Sequence, residues 1–272
     1  YDIRPPHTLN TFQRDAFEQL RAAIEKKEFH PFLLHGVTGS GKTEVYLRAI
    51  ETALAAGRSA LLLVPEIALT PAVAGQFFGR FGDRVAILHS AFSGSERADQ
   101  WRRIRDGRAG VVVGTRSGVF APVPNLGLIV VDEEHDQSYK QEETPRYNGR
   151  DVAVVRAQTA GATVVLGSAT PSLESRHNAE RGKYTLLALP ERIEELCDAG
   201  MDSFRFSLNS VLEERYNAYY RPKGYSFSNV IRSLKISKQA GRFTMINYLI
   251  SPGITDAPEE VAALKRFVAD TG

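Results

Sequence analysis

Two short stretches carry residue types that could do phosphoryl chemistry. The first, Gly36-Val37-Thr38-Gly39-Ser40-Gly41-Lys42-Thr43, has the spacing Gly-x-x-x-x-Gly-Lys-Thr. Its three glycines let backbone N–H groups turn inward around a polyphosphate, and a following helix N-terminus adds a favourable dipole. In this spacing Lys42 reaches the β- and γ-phosphates and the Thr43 hydroxyl ligates Mg²⁺, while Gly36, Thr38, Gly39, Ser40 and Gly41 form the cradle. The second stretch is Asp132-Glu133-Glu134-His135, which follows an apolar run. There Asp132 would hold the ion through water, and Glu133 would orient and deprotonate an attacking water. Chemistry of this kind is mostly positioning and charge neutralisation of a transferring phosphoryl group. The competing readings are a glycine turn with a solvated lysine and a solvated acidic turn. The apolar segments in front of both stretches favour the chemistry, and so the binding of a nucleoside triphosphate.

Such residues must be held at the ends of strands, and the chain supplies them. Apolar, largely β-branched runs recur at 32–34, 60–64, 85–88, 111–113, 128–131 and 163–166. Helical periodicity lies between most of them. Residues 11–27 place Phe12, Ala16, Leu20, Ala23 and Ile24 on one face, and residues 45–54 repeat the pattern up to Gly57. Thr70 before Pro71 predicts a helix start, and Ser93 with Glu96 predicts a capping box. Short buried strands alternating with helices predict an α/β fold with a parallel sheet covered on both faces. Sites in such folds lie beyond the carboxyl ends of the strands. In this chain those ends carry residues 65–70, 114–117, 132–135 and 167–172.

Composition sets bounds on partners and compartment. The chain has 272 residues, 43% hydrophobic and 24% charged, with a net charge of +2. No strong overall field therefore argues for nucleic acid, and any basic surface must be local. The arginines at 97, 102, 103, 105 and 108 read as a solvated helix face. One cysteine, Cys197, excludes an internal disulfide and an all-cysteine metal site, and fits a reducing cytoplasm. No apolar run approaches the roughly 18 residues of a membrane span. The chain begins at Tyr1 rather than Met, which suggests a fragment of something longer, and Pro5-Pro6 suggest a linker over residues 1–6.

In order, these motifs resemble the first motor lobe of superfamily 2 helicases and, in finer detail, the primosomal replication-restart helicases. The stretches that carry the likeness are 36–46, 64–70, 88–90, 114–117, 132–141 and 167–175, between about Leu9 and Arg192. The resemblance implies a RecA-like ATP-binding domain over 1–190, working on single-stranded or forked DNA with ATP and Mg. It also implies primosome and single-strand-binding proteins as partners. By the same resemblance Gln13 reads adenine, His135 couples hydrolysis to DNA contact, and Ser168 and Thr170 link the carboxylates to lobe movement. Thr70, Thr115 and Arg116 would contact DNA phosphates. Tyr139 and Tyr147 would sit in an aromatic-rich loop, 136–151, and stack on bases. The plainer alternatives are a satisfied polar His135, a surface Arg116 and two tyrosines that pack in the interior.

Beyond Arg192 the pattern changes. Residues 194–200, 228–240 and 258–269 read as helices, and 203–208 and 244–249 as strands. Ala199 to Asp202, the run 206–210, Asn247 to Leu249 and Pro252-Gly253 resemble the later part of a radical S-adenosylmethionine barrel. The three-cysteine cluster motif of that family is missing, and three thiolates are what an iron–sulfur cluster needs. Only a cofactor-facing turn near Ser251–Gly253 would remain. The expectation is therefore two pieces, 1–190 and a partial barrel segment 191–272, joined near 191–194 by truncation or an artificial reading frame. A second helicase lobe and zinc sites are not seen, so feeble hydrolysis is expected. A nucleotide- or DNA-binding module without turnover and a radical-type fragment stand as alternatives to the motor.

Overall fold

In the computed structural model the chain divides into two compact units, residues 1–190 and 191–272. The structure describes residues 8–36, 40–189, 203–208, 210–220, 227–248 and 258–271. Thr38, Gly39, Cys197, the 1–6 and 194–200 segments, the 191–194 junction and the turn 251–253 lie outside them.

The first unit is built on seven parallel strands. They are β1 (His30–Gly36), β2 (Ser59–Leu63), β3 (Val85–Leu88), β4 (Val111–Gly114), β5 (Leu126–Val131), β8 (Thr163–Ser168) and β9 (Thr185–Leu189), ordered β3-β4-β2-β5-β8-β1-β9. Every residue of β2, β4, β5 and β8 is buried, as central parallel strands covered on both faces must be. Helices α1 (Thr11–Lys26), α2 (Lys42–Ala55) and α3 (Pro71–Phe81) cover one face. There Leu20, Ile50 and Phe77 pack against Phe32, Leu62 and Val130. Helices α4 (Gly94–Arg105), α5 (Gly149–Ala160) and α6 (Leu173–Glu180) lie on the other, where Ile104, Ala153 and Ala157 meet Leu61, Val112 and Ile129.

The predicted helix starts are made by the predicted side chains. Thr70 Oγ1 accepts from Val73 N, and Ser93 and Glu96 close a reciprocal capping box. A second capping box, Asn10 with Gln13, starts α1. Strand β9 has no counterpart among the predicted strands. It is the edge neighbour of β1, buried at only alternate positions, and its signal is correspondingly faint. A two-stranded hairpin, β6 (Lys140–Gln141) with β7 (Tyr147–Asn148), closes the loop after the acidic turn.

In the second unit β10 (Ser203–Leu208) and β11 (Phe243–Tyr248) pair in parallel. They accompany helices α7 (Glu213–Tyr220), α8 (Phe227–Gln239) and α9 (Pro258–Thr271). Phe204, Phe206 and Ile236 form a small apolar cluster. The buried Glu260 accepts hydrogen bonds from Ser210 Oγ, Val211 N, Tyr248 Oη and Arg215 Nη1 at 2.6 to 3.3 Å. Among the described residues no helix is long and apolar enough to cross a membrane.

Candidate functional site

The site forms where β1, β5 and β8 end side by side. Helix α2 begins at Lys42, and its cap residue Gly41 offers no side chain to the first amides. Those N–H groups are the orphan donors that favour an anion. Gly41 sits at φ 81, and a Cβ there would come within 2.2 Å of Gln13 Nε2. At Gly36 a Cβ would meet Ser40 Oγ at 2.5 Å. Only glycine leaves this cradle open.

Lys42 is 8% exposed, with Nζ donating to Gly36 O at 2.8 Å and lying 3.6 Å from Glu133 Oε1. Ser40 Oγ is buried and has no hydrogen-bond partner among the described residues. Of the two neighbouring carboxylates, Glu133 pairs with the ammonium and Asp132 takes its hydrogen bond from Tyr46 Oη. Burial and the charge of Glu133 push the Asp132 carboxyl above the usual aspartate range, against the pull of Tyr46 and Lys42. Unsatisfied donors and an excess of carboxylate suit a polyphosphate carrying a divalent cation. The exposed Thr43 opens the same helix.

Glu133 adopts φ 45, a left-handed conformation uncommon for a residue with a Cβ. It faces Lys42 with one oxygen and places the other 3.6 Å from His135 Nδ1. His135 Nδ1 lies 2.7 Å from Ser168 Oγ, and its Nε2 lies 3.1 Å from Thr170 Oγ1. Ser168 Oγ also accepts from Thr170 N at 2.9 Å. The three residues are therefore one hydrogen-bonded relay beside the acidic turn. Gln13 is buried, and its amide is engaged at both ends: Nε2 donates to Ser40 O at 2.9 Å, and Oε1 accepts from Asn10 N.

The residues assigned to DNA divide. Thr70 is exposed at the head of α3, whereas Thr115 is buried. Arg116 Nη1 donates to Ser138 O at 3.1 Å and Lys140 O at 3.0 Å, so this guanidinium clamps the loop after the acidic turn. Tyr139 corrects the expectation of base stacking. It is 1% exposed, and its hydroxyl donates to Asp132 O at 2.7 Å, so no ring face is open to a base. Tyr147 is half-buried, edge-on to the 53% exposed Phe120 with ring centroids 5.0 Å apart.

Sequence reasoning gave no role to Tyr46, Gly167, Glu134 or His35. Tyr46 Oη donates to Asp132 Oδ1 at 2.9 Å, and a Cβ on Gly167 would fall 1.7 Å from that hydroxyl. Glycine at 167 is what lets the tyrosine reach the carboxylate. His35 pairs in register with Ser168 across β1 and β8, and burial lowers its pKa. None of these has a local signal, since each partner comes from a distant part of the chain.

Comparisons with known proteins agree with this geometry. A DEAD/DEAH box helicase family model matches residues 10–179. A radical SAM superfamily model matches residues 135–265, of which those up to 190 lie within the first unit. The replication restart protein PriA of Bacillus subtilis is 48% identical over 223 residues, covering 77% of this chain and 28% of that protein. PriA of Chlamydia trachomatis is 44% identical over 247 residues, covering 90% of this chain and 32% of its own length. That match runs past residue 192, where the sequence reading ended the likeness. The chain spans about a third or less of the curated relatives it matches. The structure of RecG bound to a three-way DNA junction superposes with a TM-score of 0.51 at 20% identity, covering 92% of this chain and 37% of that one, a likeness of fold.

Proposed function

The chain belongs to the DEAD/DEAH box helicase family, and on that premise we propose that residues 1–190 form an ATP-dependent DNA-helicase motor lobe of the replication-restart type. This lobe binds and hydrolyses Mg-ATP and couples turnover to single-stranded or forked DNA. The observation that carries the reading is the convergence of Lys42, Asp132 and Glu133, with His135 bridging Glu133 to Ser168 and Thr170.

In this reading the amides at the start of α2, with Gly36, Thr38, Gly39, Ser40 and Gly41, cradle the phosphates, and Lys42 neutralises them. Thr43 and Asp132 hold the magnesium, and Gln13 takes the adenine. The metal ion supplies positive charge to the phosphoryl oxygens. Glu133 orients water and accepts its proton, with Lys42 beside it. Tyr46 fixes the rotamer of Asp132, and Tyr139 holds its backbone. DNA lies along Thr70 and Arg116, with the exposed Phe120 and the half-buried Tyr147 as the aromatic pair beside them. The binding-only alternative is separated by one experiment. Mg-ATP affinity should be measurable by calorimetry, and phosphate release should rise on adding single-stranded DNA; binding without any release would leave a module and not a motor.

The second unit is proposed to be a partial radical SAM-type βα segment. One cysteine in the chain does not fit an iron–sulfur cluster, and no chemistry through one is derived. Limited proteolysis should cut between residues 189 and 197 and leave a resistant amino-terminal fragment, because boundaries between units are accessible. One protected fragment reaching Gly272, melting in a single transition, would argue against separate units.

A further inference from the structure

Glu134 is the carboxylate of the acidic turn that faces neither Lys42 nor solvent. Its side chain is fully buried. Oε1 accepts from Ser172 N at 2.7 Å. Oε2 accepts from Ser172 Oγ at 3.0 Å, Ser175 Oγ at 2.9 Å and Arg150 Nη1 at 3.2 Å. Its own N–H donates to Gly167 O at 3.0 Å. Arg150 Nη1 also donates to Ser172 Oγ at 2.8 Å, and that oxygen caps α6 by accepting from Ser175 N. A carboxylate is costly to bury unless it is paired and hydrogen-bonded, and this one is both. Packing alone would be served as well by an apolar side chain, so the donors need another reason.

The reason lies in what they join. One end of the cluster is the turn that carries Glu133 and His135; the other is the turn that carries Ser168 and Thr170. Arg150 adds the start of α5, next to the β6–β7 hairpin. We propose that Glu134 is a positioning residue for hydrolysis. It locks the two turns into one piece, so that Glu133 stays aimed at Lys42 and His135 stays between Ser168 and Thr170. Through Arg150 it ties the hairpin to the same piece. Glu134 itself touches no nucleotide. The inference rests on the nucleotide-site reading above.

Glu134→Gln keeps the shape but turns one acceptor into a donor, so Ser172 Oγ, Ser175 Oγ and Arg150 lose their shared oxygen. Mg-ADP affinity should stay within about twofold of the parent, while single-turnover phosphate release falls about tenfold, the scale of one charge-assisted hydrogen bond. Amide hydrogen exchange at 133–135 and 168–175 should quicken together, with 42–55 unchanged. Ser175→Ala removes one donor and should give a smaller change of the same pattern, which keeps the test open if Glu134→Gln does not fold. Exchange at parental rates, or loosening of one turn without the other, or parental phosphate release in both variants would overturn the proposal. A parent that fails to bind Mg-ADP would instead sink the nucleotide-site reading, and exchange at the two turns would still judge the lock.

Discussion

Glu133→Gln is expected to slow phosphate release by on the order of 10²–10⁴-fold while nucleotide binding survives, because an amide of the same size cannot accept the proton of water. The expectation comes from placement. Glu133 holds a left-handed backbone that sends its carboxylate toward Lys42, with His135 on the other side. Strain of this kind persists where the surroundings hold it, and functional sites are where it collects. The substitution also removes the negative charge that helps raise the Asp132 carboxyl, so Asp132 should relax toward an ordinary aspartate and hold a cation no less well. Nucleotide affinity should therefore be retained or slightly tightened. Phosphate release with single-stranded DNA present, set beside calorimetric affinity, checks both halves. Parental turnover in the variant would remove Glu133 from the role.

Lys42→Ala should weaken Mg-ATP binding by about tenfold to a hundredfold, the worth of about 1.5–3 kcal/mol for hydrogen bonds to a charged partner. Lys42 is nearly enclosed, so its charge acts where water screens it little. Its loss would leave Glu133 without its nearest cation and Gly36 O without its donor. Some loss of folding stability, about 1 kcal/mol, should accompany the change as a carbonyl loses its partner. A thermal melt of the free variant separates that part from the binding effect. An affinity equal to the parent's would show that the phosphates do not sit at the head of α2.

Much of this protein can be read one stretch at a time. The glycines and Lys42-Thr43 mark the turn into α2, the apolar runs mark six of the seven strands, and Thr70 and Ser93–Glu96 mark where two more helices begin. Each of these signals spans a few neighbouring residues, because turn conformation, capping and burial period are local properties. The order β3-β4-β2-β5-β8-β1-β9 is not such a property, and the site depends on it. It brings the ends of β1, β5 and β8 together, so that Tyr46 reaches Asp132 past Gly167, and His135 reaches Ser168. Residue type misled at Tyr139. An aromatic in a polar loop looks available for stacking, yet the Arg116 clamp on both flanking carbonyls folds its ring into the interior beneath Asp132. Glu134 was invisible for the same reason: in sequence it is one acid among three, and only the arrival of Ser172, Ser175 and Arg150 from elsewhere in the chain separates it from its neighbours. The amino-acid order by itself determined which groups are present and which elements carry them. Tertiary structure decided which groups meet, because contacts between distant strand ends follow from sheet order and crossovers that no local pattern encodes.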